Sequence, residues 1–413
     1  MERKLSMKKP ELLSPAGDPE RLQFAVRYGA DAVYFAGTQF GMRAAPKNFT
    51  PDQIAEGAAF AHVHGKRAYL TLNTTPTNAE AARLPDFIRT VRDTGVDALI
   101  VADLGVLSVC KRWAPDIDIH FSTQAGIANY LAANAAYDLG AKRVVLAREL
   151  SLQDIAVIRD HTPADLELEV FVHGAMCMSV SGRCLLSQYL TGRSANSGRC
   201  TQPCRWKWAL VDEEQRPGRR YPIGEGQEGA YILNADDLCT APFIDQICKA
   251  GADSLKIEGR AKSFYYVASV TSAYRRALDA YFACPEHFAC PEDVLDELTR
   301  TSHRRYSTGF FFGPEGATQN AAAGGYIRRW EPVAVVERWE NGFAACTQRG
   351  KFTLGDTLEA LTPEGKMISF TPQVIFNEEG LPIESTPHPM MRFAVPSETA
   401  LPPYTILRRQ SAQ

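Results

Sequence analysis

Short apolar, β-branched runs alternate with longer helical segments through most of this chain. Apolar residues fill nearly every position of several runs, which is typical of strands buried on both faces of a parallel sheet. Gly65 and Gly95 end helical patterns just before the next run, as glycine commonly does at a helix C-terminus. The eight runs are residues 10–17, 31–37, 67–74, 97–103, 118–124, 143–149, 167–174 and 254–259.

Eight alternating units predict an α/β fold of the (β/α)8 TIM-like barrel type, with a doubly wound open sheet as the alternative. The open sheet usually carries a GxGxxG phosphate loop after its first strand, and SPAGDPE (14–20) lacks that pattern. In a barrel, the functional groups lie at the C-terminal ends of the strands. The polar residues at or near the predicted strand ends are Asn73, Asp103, Gln124, Arg148, Glu149, His173, Lys256, Glu258 and Arg260.

The pattern divides the chain into three parts. We predict a barrel over 1–302, with a Cys-rich metal-binding insertion over 175–250 after the seventh strand. Residues 303–329 are rich in glycine, aromatic and basic residues and are predicted to form a linker. Short alternating runs separated by turn residues follow over 330–413, which predicts a small antiparallel β-barrel or sandwich domain.

The composition is that of a globular protein, with 413 residues, 45% hydrophobic and 23% charged. No apolar stretch is long enough to span a membrane, and MERKLSMKKP lacks the apolar core of a secretory signal. We therefore expect a cytoplasmic protein with no membrane partner, in which clustered cysteines more often bind metal or catalyse than form disulfides. The net charge of −3 implies that any nucleic-acid site is a local patch.

Four cysteines lie close together in a segment rich in glycine, serine and arginine, with the spacing C-x6-C-x15-C-x3-C: Cys177, Cys184, Cys200 and Cys204. Thiolates from separate loops can hold an iron–sulfur cluster, and the small residues around them allow backbone N–H groups to approach sulfur. Zinc is an alternative, although the paired CxxC motifs of zinc sites are absent, and structural thiols are another. Cys239 is a fifth candidate that could replace Cys204.

The same segment is locally basic. Between Arg183 and Arg220, eight lysines and arginines stand against three acidic residues, with Trp206 and Trp208 among them. Cations with interleaved aromatic residues fit an RNA surface on which exposed bases stack. A solvated loop whose tryptophans pack on the barrel is equally consistent with this pattern.

Three segments together resemble the collagenase-like peptidase U32 family: ELLSPAGDPERLQFAVRYGADAVYFAG, FVHGAMCMSVSGRCLLSQYLTGRSANSGRCTQPCRW and SLKIEGRAKSFYYVASVTSAYRRALD. The resemblance extends from about Pro10 to Phe312, and the tail from Trp330 is similar to a small β-barrel carried by some members. In length and order the chain most resembles the branch that makes 5-hydroxyuridine at the tRNA wobble position with prephenate as the oxygen source. Other branches hydroxylate ribosomal RNA cytidine or act in the ubiquinone pathway.

This resemblance implies a [4Fe–4S] cluster bound by Cys177, Cys184 and Cys200, with Cys204 or Cys239 as the fourth ligand. It implies tRNA as the macromolecular partner and prephenate, a small dicarboxylate, as the co-substrate. It leaves any electron donor or partner protein unidentified.

A dicarboxylate calls for arginine or lysine donors in its pocket. The candidate substrate-binding residues are Arg43, Asn73, Arg148, Lys256 and Arg260. Salt bridges of the mouth arginines and lysine with Glu149 and Glu258 are the structural alternative.

The candidate catalytic residues are His173, Gln124 and Glu258. His173 precedes the cysteine segment and could shuttle a proton, although a buried, hydrogen-bonded histidine is the alternative. Gln124, like Asn73, could hydrogen-bond to the edge of a uracil or to a carboxylate.

Two other classes of function are less consistent with the residues. The chain lacks the HExxH and GxSxG motifs of hydrolases, and a thiolate bound to a cluster is not free to attack a peptide carbonyl. A non-catalytic RNA-binding protein would not need a convergent ring of polar residues at a barrel mouth.

Overall fold

The computed structural model describes residues 8–41, 48–177, 179–180, 183–208, 224–226, 229–231, 234–320 and 325–411. In these ranges the strands are β1 Glu11–Pro15, β2 Ala32–Ala36, β3 Arg67–Leu72, β4 Ala98–Val101, β5 Asp118–Phe121, β6 Arg143–Val145, β7 Glu167–Ala175, β8 Lys207–Trp208, β9 Gly224–Gly226, β10 Gly229–Tyr231, β11 Asp237–Cys239, β12 Ser254–Ile257, β13 Tyr306–Ser307, β14 Trp330–Glu340, β15 Phe343–Gln348, β16 Leu358–Leu361, β17 Met367–Phe370, β18 Ile375–Asn377, β19 Pro382–Ile383, β20 Arg392–Pro396 and β21 Ile406–Gln410.

The α-helices in the same ranges are α1 Pro19–Arg27, α2 Pro51–Val63, α3 Asn78–Ala81, α4 Leu84–Arg92, α5 Leu104–Trp113, α6 Tyr130–Asp138, α7 Leu152–Asp160, α8 Leu186–Thr191, α9 Ile244–Lys249, α10 Phe264–Ala283 and α11 Glu292–Arg300. Seven of them, α1, α2, α3, α5, α6, α7 and α10, follow a side chain that caps the helix N-terminus. Thr50 and Ser151, for example, form capping boxes with Gln53 and Asp154 before α2 and α7. None of the helices in the described ranges is long and apolar enough to cross a membrane.

Strands β1 to β7 and β12 form a closed parallel barrel. Each pairs in parallel with the next from β1 to β7, and β12 closes the ring by pairing with both β1 and β7. The predicted fold class is therefore confirmed. The barrel strands are shorter than the predicted runs at several ends: the run over 143–149, for example, is a strand only to Val145.

The barrel interior is partly polar. Arg143 is fully buried, and its Nη1 lies 2.6 Å from Glu11 Oε1 and 2.9 Å from Glu169 Oε2. Lys256 Nζ lies 2.7 Å from Glu169 Oε1 on the same network. Buried charges are tolerated when they are paired, as here, because pairing offsets the loss of hydration. The network fixes Lys256 beneath the mouth of the barrel.

The long excursion after β7 returns to the barrel through β11. This strand is antiparallel to the end of β7 and parallel to β13. The segment predicted as a linker packs against it, since Arg304 Nε donates to Asp237 Oδ1 at 3.0 Å and Arg305 Nε donates to Asp236 Oδ2 at 2.9 Å. In the described part of the chain, residues 303–320 are thus anchored to the barrel.

Residues from Trp330 onward form an antiparallel sheet with the strand order β17-β16-β21-β14-β15-β20-β18-β19. The sheet has an apolar core of its own that includes Val333, Phe352 and Val395. It contacts the barrel through a buried Arg408, whose guanidinium donates to Glu297 of α11 at 2.6 Å. This small domain and the barrel therefore share a buried ion pair.

Candidate active site at the barrel mouth

A pocket opens at the C-terminal ends of the barrel strands. Six of the residues predicted for the site line it: Asn73, Gln124, Arg148, Lys256, Glu258 and Arg260. Arg43, the remaining predicted substrate-binding residue, lies outside the described residues. The fold thus brings together side chains that are far apart in the sequence, because Asn73, Gln124 and Arg148 follow β3, β5 and β6, and the other three lie in or after β12.

Arg148 and Glu258 form an ion pair at the rim of this mouth pocket. Arg148 Nη2 lies 3.1 Å from Glu258 Oε2, and its Nη1 donates to the Ala175 carbonyl at 2.7 Å. The guanidinium also lies 3.7 Å from the centroid of the Phe171 ring. The sequence predicted either a salt bridge or carboxylate binding for Arg148, and the salt bridge with Glu258 is present. The fixed position of the guanidinium also suits the binding of an anion.

Two further cations lie at the floor of the pocket. Lys256, paired with Glu169, has its Nζ 4.4 Å from the centroid of the Tyr34 ring. Arg260 is 4% exposed, and its Nη1 donates to Thr71 Oγ1 at 3.3 Å. Both cations contribute positive potential toward a bound carboxylate, although Glu169 offsets part of the charge of Lys256.

The two amide side chains of the pocket lie near Ser122. Asn73 Nδ2 donates to Ser122 Oγ at 3.3 Å, and the same hydroxyl accepts from the Gln124 backbone N–H at 3.3 Å. Gln124 lies in a short 3-10 turn directly after β5. Amide groups offer both a donor and an acceptor, which is what the edge of a nucleobase or a carboxylate pairs with.

The four clustered cysteines come together in a segment that is hydrogen-bonded to the loops around this pocket. Burial raises the pKa of the Cys204 thiol, and the thiols of Cys177, Cys200 and Cys184 raise it further, which shows that they lie near Cys204. Backbone N–H groups point at two of the sulfurs. Leu186 N lies 3.3 Å from Cys184 Sγ and Gln202 N lies 3.4 Å from Cys200 Sγ.

The segment that bears these thiols is fastened to the loops around the mouth. Arg183 Nε donates to the Gln124 carbonyl at 2.6 Å, and Thr75 N donates to the Asn196 carbonyl at 3.2 Å. Asn196 also accepts from the Cys184 backbone N–H at 3.2 Å through its side chain. The four-thiol site is therefore joined to the strand ends of β3 and β5.

The four thiols are chemically suited to bind an iron–sulfur cluster. No three His, Cys, Asp or Glu side chains among the described residues are arranged to hold one metal ion. Cysteine thiolates from separate loops hold iron–sulfur clusters, and backbone N–H groups that point at sulfur stabilise their negative charge. Cys177, Cys184, Cys200 and Cys204 could therefore hold such a group.

Cys239 lies apart from the four in this structure. Its side chain hydrogen-bonds with Tyr274, burial raises its pKa to about 12, and the thiol that acts on it electrostatically is Cys290. Its backbone pairs with His173 across β11 and β7.

His173 is enclosed by aromatic rings. The centroids of Tyr306, Tyr274 and Tyr266 lie 5.3, 5.4 and 5.9 Å from that of the imidazole, and Tyr274 Oη lies 3.3 Å from Nδ1. Burial lowers the pKa of His173 to about 3. The ring is therefore neutral near pH 7, and it is not among the described side chains that line the mouth pocket.

The pocket also contains residues that the sequence patterns did not single out. Tyr34, Thr71 and Phe171 line it from inside predicted strands, and Ser122 lies at its edge. Side chains alternate between the two faces of a strand, and this rule could have assigned Tyr34, Thr71 and Phe171 to the barrel interior.

Comparison with known proteins gives consistent results. The profile of peptidase family U32 matches residues 17–321, and that of its C-terminal domain matches residues 328–408. The chain is 37% identical to tRNA hydroxylation protein P1 of Bacillus subtilis, covering 97% of this chain and 95% of the relative. It is 35% identical to tRNA hydroxylation protein P of Escherichia coli, covering 91% and 90%. A 23S rRNA 5-hydroxycytidine synthase of Escherichia coli is 38% identical, but the match covers 73% of this chain and 45% of that protein.

Proposed function

Since the chain belongs to peptidase family U32, and its relatives over nearly full length are named for tRNA hydroxylation, we propose that it hydroxylates tRNA. The proposed reaction converts the wobble uridine to 5-hydroxyuridine. The observation that carries this proposal is the grouping of four thiols in a segment bonded to the loops of a pocket that cations and amides line at the barrel mouth.

We assign a [4Fe–4S] cluster to Cys177, Cys184, Cys200 and Cys204, with Cys239 kept as the alternative fourth ligand. When bound, the cluster would supply electrons or a Lewis-acid position for the oxygen donor. The protein's part is to hold the thiols beside the pocket, and the N–H groups of Leu186 and Gln202 stabilise negative charge on two sulfurs.

The oxygen donor in this proposal is prephenate. Formally, a hydroxyl group moves from a carbon of the donor to uracil C5, and the hydrogen of C5 moves to that carbon. The uracil is oxidised and the donor is reduced by the same two electrons, so no further oxidant is needed. Lys256 and Arg260 would bind one carboxylate of the donor and Arg148 the other, because charge-assisted hydrogen bonds to carboxylates are strong and directional.

The remaining roles concern the base and the proton. Asn73 and Gln124 would hydrogen-bond to the uracil edge and orient C5 toward the donor. Glu258, held by Arg148, would accept the proton that leaves C5. His173, neutral and enclosed, would position the end of β7 and so the first cysteine of the segment.

A second candidate is hydroxylation of ribosomal RNA, favoured by the relative named for 5-hydroxycytidine synthesis. That relative is more than twice as long as the region that matches, so its own target could depend on parts that have no counterpart here.

The proposal is tested by mass spectrometry of tRNA nucleosides from a deletion strain that carries the wild-type gene or a variant. We expect 5-hydroxyuridine and its derivatives to be restored by the wild type and by Cys284→Ala, which alters an exposed cysteine on the far end of α10. Cys177→Ala should not restore them. An unchanged nucleoside profile in the deletion strain would refute the tRNA assignment, and loss of 5-hydroxycytidine from ribosomal RNA would support the second candidate.

A further inference from the structure

Tyr326 presents an exposed ring near the four-thiol site. The residue is 37% exposed, and the backbone that follows it is fixed by hydrogen bonds. Ile327 N donates to the His303 carbonyl at 2.7 Å, and Ser411 N donates to the Arg329 carbonyl at 2.8 Å. An exposed aromatic ring on a fixed backbone is suited to binding because little conformational freedom is lost when a ligand packs on it.

Cations surround this ring. Lys262 Nζ lies 4.2 Å from its centroid and Arg304 Cζ lies 5.6 Å from it. Both cations are held in place, Lys262 by the Ser302 carbonyl at 3.0 Å and Arg304 by Asp237. The cation–π contacts keep the tyrosine ring and the charges together as one surface.

Arg205 connects this surface to the thiols. Its Nη2 donates to the Met176 carbonyl at 3.2 Å, one residue before Cys177. Its guanidinium also lies within electrostatic reach of Lys262, whose ammonium contacts the Tyr326 ring. The next residue along the chain, Trp206, is 41% exposed.

The surface carries excess positive charge. Burial lowers the pKa of Lys262 to about 8, and Arg304, Arg205 and Arg328 lower it further, while Asp237 acts in the opposite sense. The chain as a whole has a net charge of −3, so the positive charge of this surface is a local feature and does not reflect the net charge of the protein. Crowded cations beside an exposed ring fit a polyanion that also has planar groups.

We propose that Tyr326, Lys262, Arg205 and Arg328 bind one nucleotide of single-stranded RNA. Its base stacks on Tyr326, and the phosphates on either side of its ribose contact the three cations. The adjoining nucleotide then reaches the mouth pocket beside the thiols. The inference rests on the proposed function, because the adjoining nucleotide would be the uridine to be hydroxylated.

The stacking is tested by fluorescence anisotropy with a labelled anticodon stem–loop RNA and the full-length protein. Tyr326→Ala should weaken binding about 5- to 150-fold, the range expected for the loss of one stacked base. Tyr326→Phe keeps the ring and should bind like the wild type, and Tyr137→Ala, on the outer helix α6, should have no effect. Equal binding by Tyr326→Ala and the wild type would overturn the proposal.

The phosphate contact is tested by the salt dependence of the same binding. Arg328→Gln should reduce the slope of log Kd against log salt by about 0.7, as expected for one contact to a single strand. An unchanged slope would remove Arg328 from the site. Displacement of the RNA by polyglutamate as effectively as by unlabelled RNA would indicate a site for acidic peptides and would also overturn the proposal.

A hydroxylation assay on the same RNA separates this inference from the proposed function. If the wild type hydroxylates uridine and Tyr326→Ala has the same KM, the inference alone fails. If the wild type binds RNA through Tyr326 but hydroxylates no uridine, the proposed function alone fails. The expected result is a raised KM for RNA in Tyr326→Ala with kcat near that of the wild type, since the ring binds a neighbouring base.

Discussion

At the residue scale, the enclosure of His173 makes the stability of the protein depend on pH. The pKa of its imidazole is lowered by burial from 6.5 to about 3. The unfolded chain therefore takes up a proton from about pH 6.5 downward, whereas the folded chain does so only near pH 3. The stabilising contribution is complete above pH 6.5 and is lost as the pH falls below it.

We predict that His173→Phe makes the stability less sensitive to acid. Between pH 7.5 and pH 5, the wild type should lose about 2 kcal/mol of unfolding free energy through this residue, and the variant should not. Tyr274 remains bonded in the variant, because its hydroxyl also donates to the Val172 carbonyl at 2.7 Å. Urea unfolding at the two pH values measures the difference, with exposed His388→Phe as the control. Equal pH dependence in His173→Phe and wild type would contradict the placement of this ring.

A second prediction at this scale concerns the fourth ligand. Cys204 lies with the other three thiols, whereas Cys239 hydrogen-bonds with Tyr274. Anaerobically purified Cys204→Ala should therefore lack iron and acid-labile sulfide, and Cys239→Ala should retain both. Metal analysis and visible absorption give the readout, with Cys284→Ala as a matched control. Iron retained in Cys204→Ala and lost in Cys239→Ala would assign the position to Cys239.

At the element scale, β7 connects the barrel interior to the thiol segment. It carries Glu169 of the buried ion network, then Phe171 at the floor of the pocket, and it ends two residues before Cys177. Gly174 lies near that end with a φ of +108°, and a Cβ there would come 2.5 Å from the Glu258 carbonyl oxygen. The ends of β7 and β12 can approach so closely only because this residue is glycine.

We expect Gly174→Ala to lower the free energy of unfolding by about 2–5 kcal/mol, from backbone strain and from the contact with Glu258. It should also lose hydroxylation, because Glu258 would be displaced from Arg148. Gly65→Ala is the matched control: its φ is also positive, at +67°, but a Cβ there meets nothing within 4 Å. That variant should lose about 1 kcal/mol and stay active. Urea unfolding measures the loss of stability, and the nucleoside assay measures hydroxylation. Similar losses in both variants would contradict the close approach of β7 to β12 at Gly174.

How much could be predicted from sequence differs between elements. The eight barrel strands lie in short runs rich in apolar residues, so their positions were predictable, and most of the mouth residues follow their ends. Strands β11 and β13 are too short, at three and two residues, to show any periodicity. Alternation would place His173 on the same face as Glu169 and Phe171, but the pairing of β12 with β7 shifts register between Lys256 and Ile257. The sequence contains no sign of that shift.

At the scale of the whole molecule, the small domain is joined to the barrel by buried charge. Arg408 of β21 is fully buried and pairs with Glu297 of α11 and with Glu359 of β16. The Tyr28 hydroxyl of the barrel lies 2.9 and 2.8 Å from the carbonyl oxygens of Leu361 and Tyr404, and its one proton is shared between them. These contacts should make the two domains unfold together. The surface around Tyr326 likewise joins segments distant in sequence. The sequence pattern predicted the part that contains Arg205, but it did not single out Tyr326 or Lys262, which the fold places beside it.

We predict that Arg408→Met uncouples the two domains. The substitution leaves Glu297 buried without its partner, which should cost about 3–5 kcal/mol. Differential scanning calorimetry should then show two transitions where the wild type shows one. Arg409→Met removes a partly exposed cation paired with Glu331 and Asp356 inside the small domain, and it should cost about 1 kcal/mol or less with a single transition. A single transition for Arg408→Met would show that the interface does not depend on this ion pair.

The most direct measurement is hydroxylation by the purified protein itself. Anaerobically prepared wild-type protein is mixed with unmodified tRNA and prephenate, and the digested nucleosides are analysed by mass spectrometry. We expect 5-hydroxyuridine with the wild type, none with Cys177→Ala, and none when prephenate is omitted. If the iron-loaded wild type leaves every uridine unmodified, or if Cys177→Ala produces as much 5-hydroxyuridine as the wild type, the four thiols at the barrel mouth do not carry out this reaction.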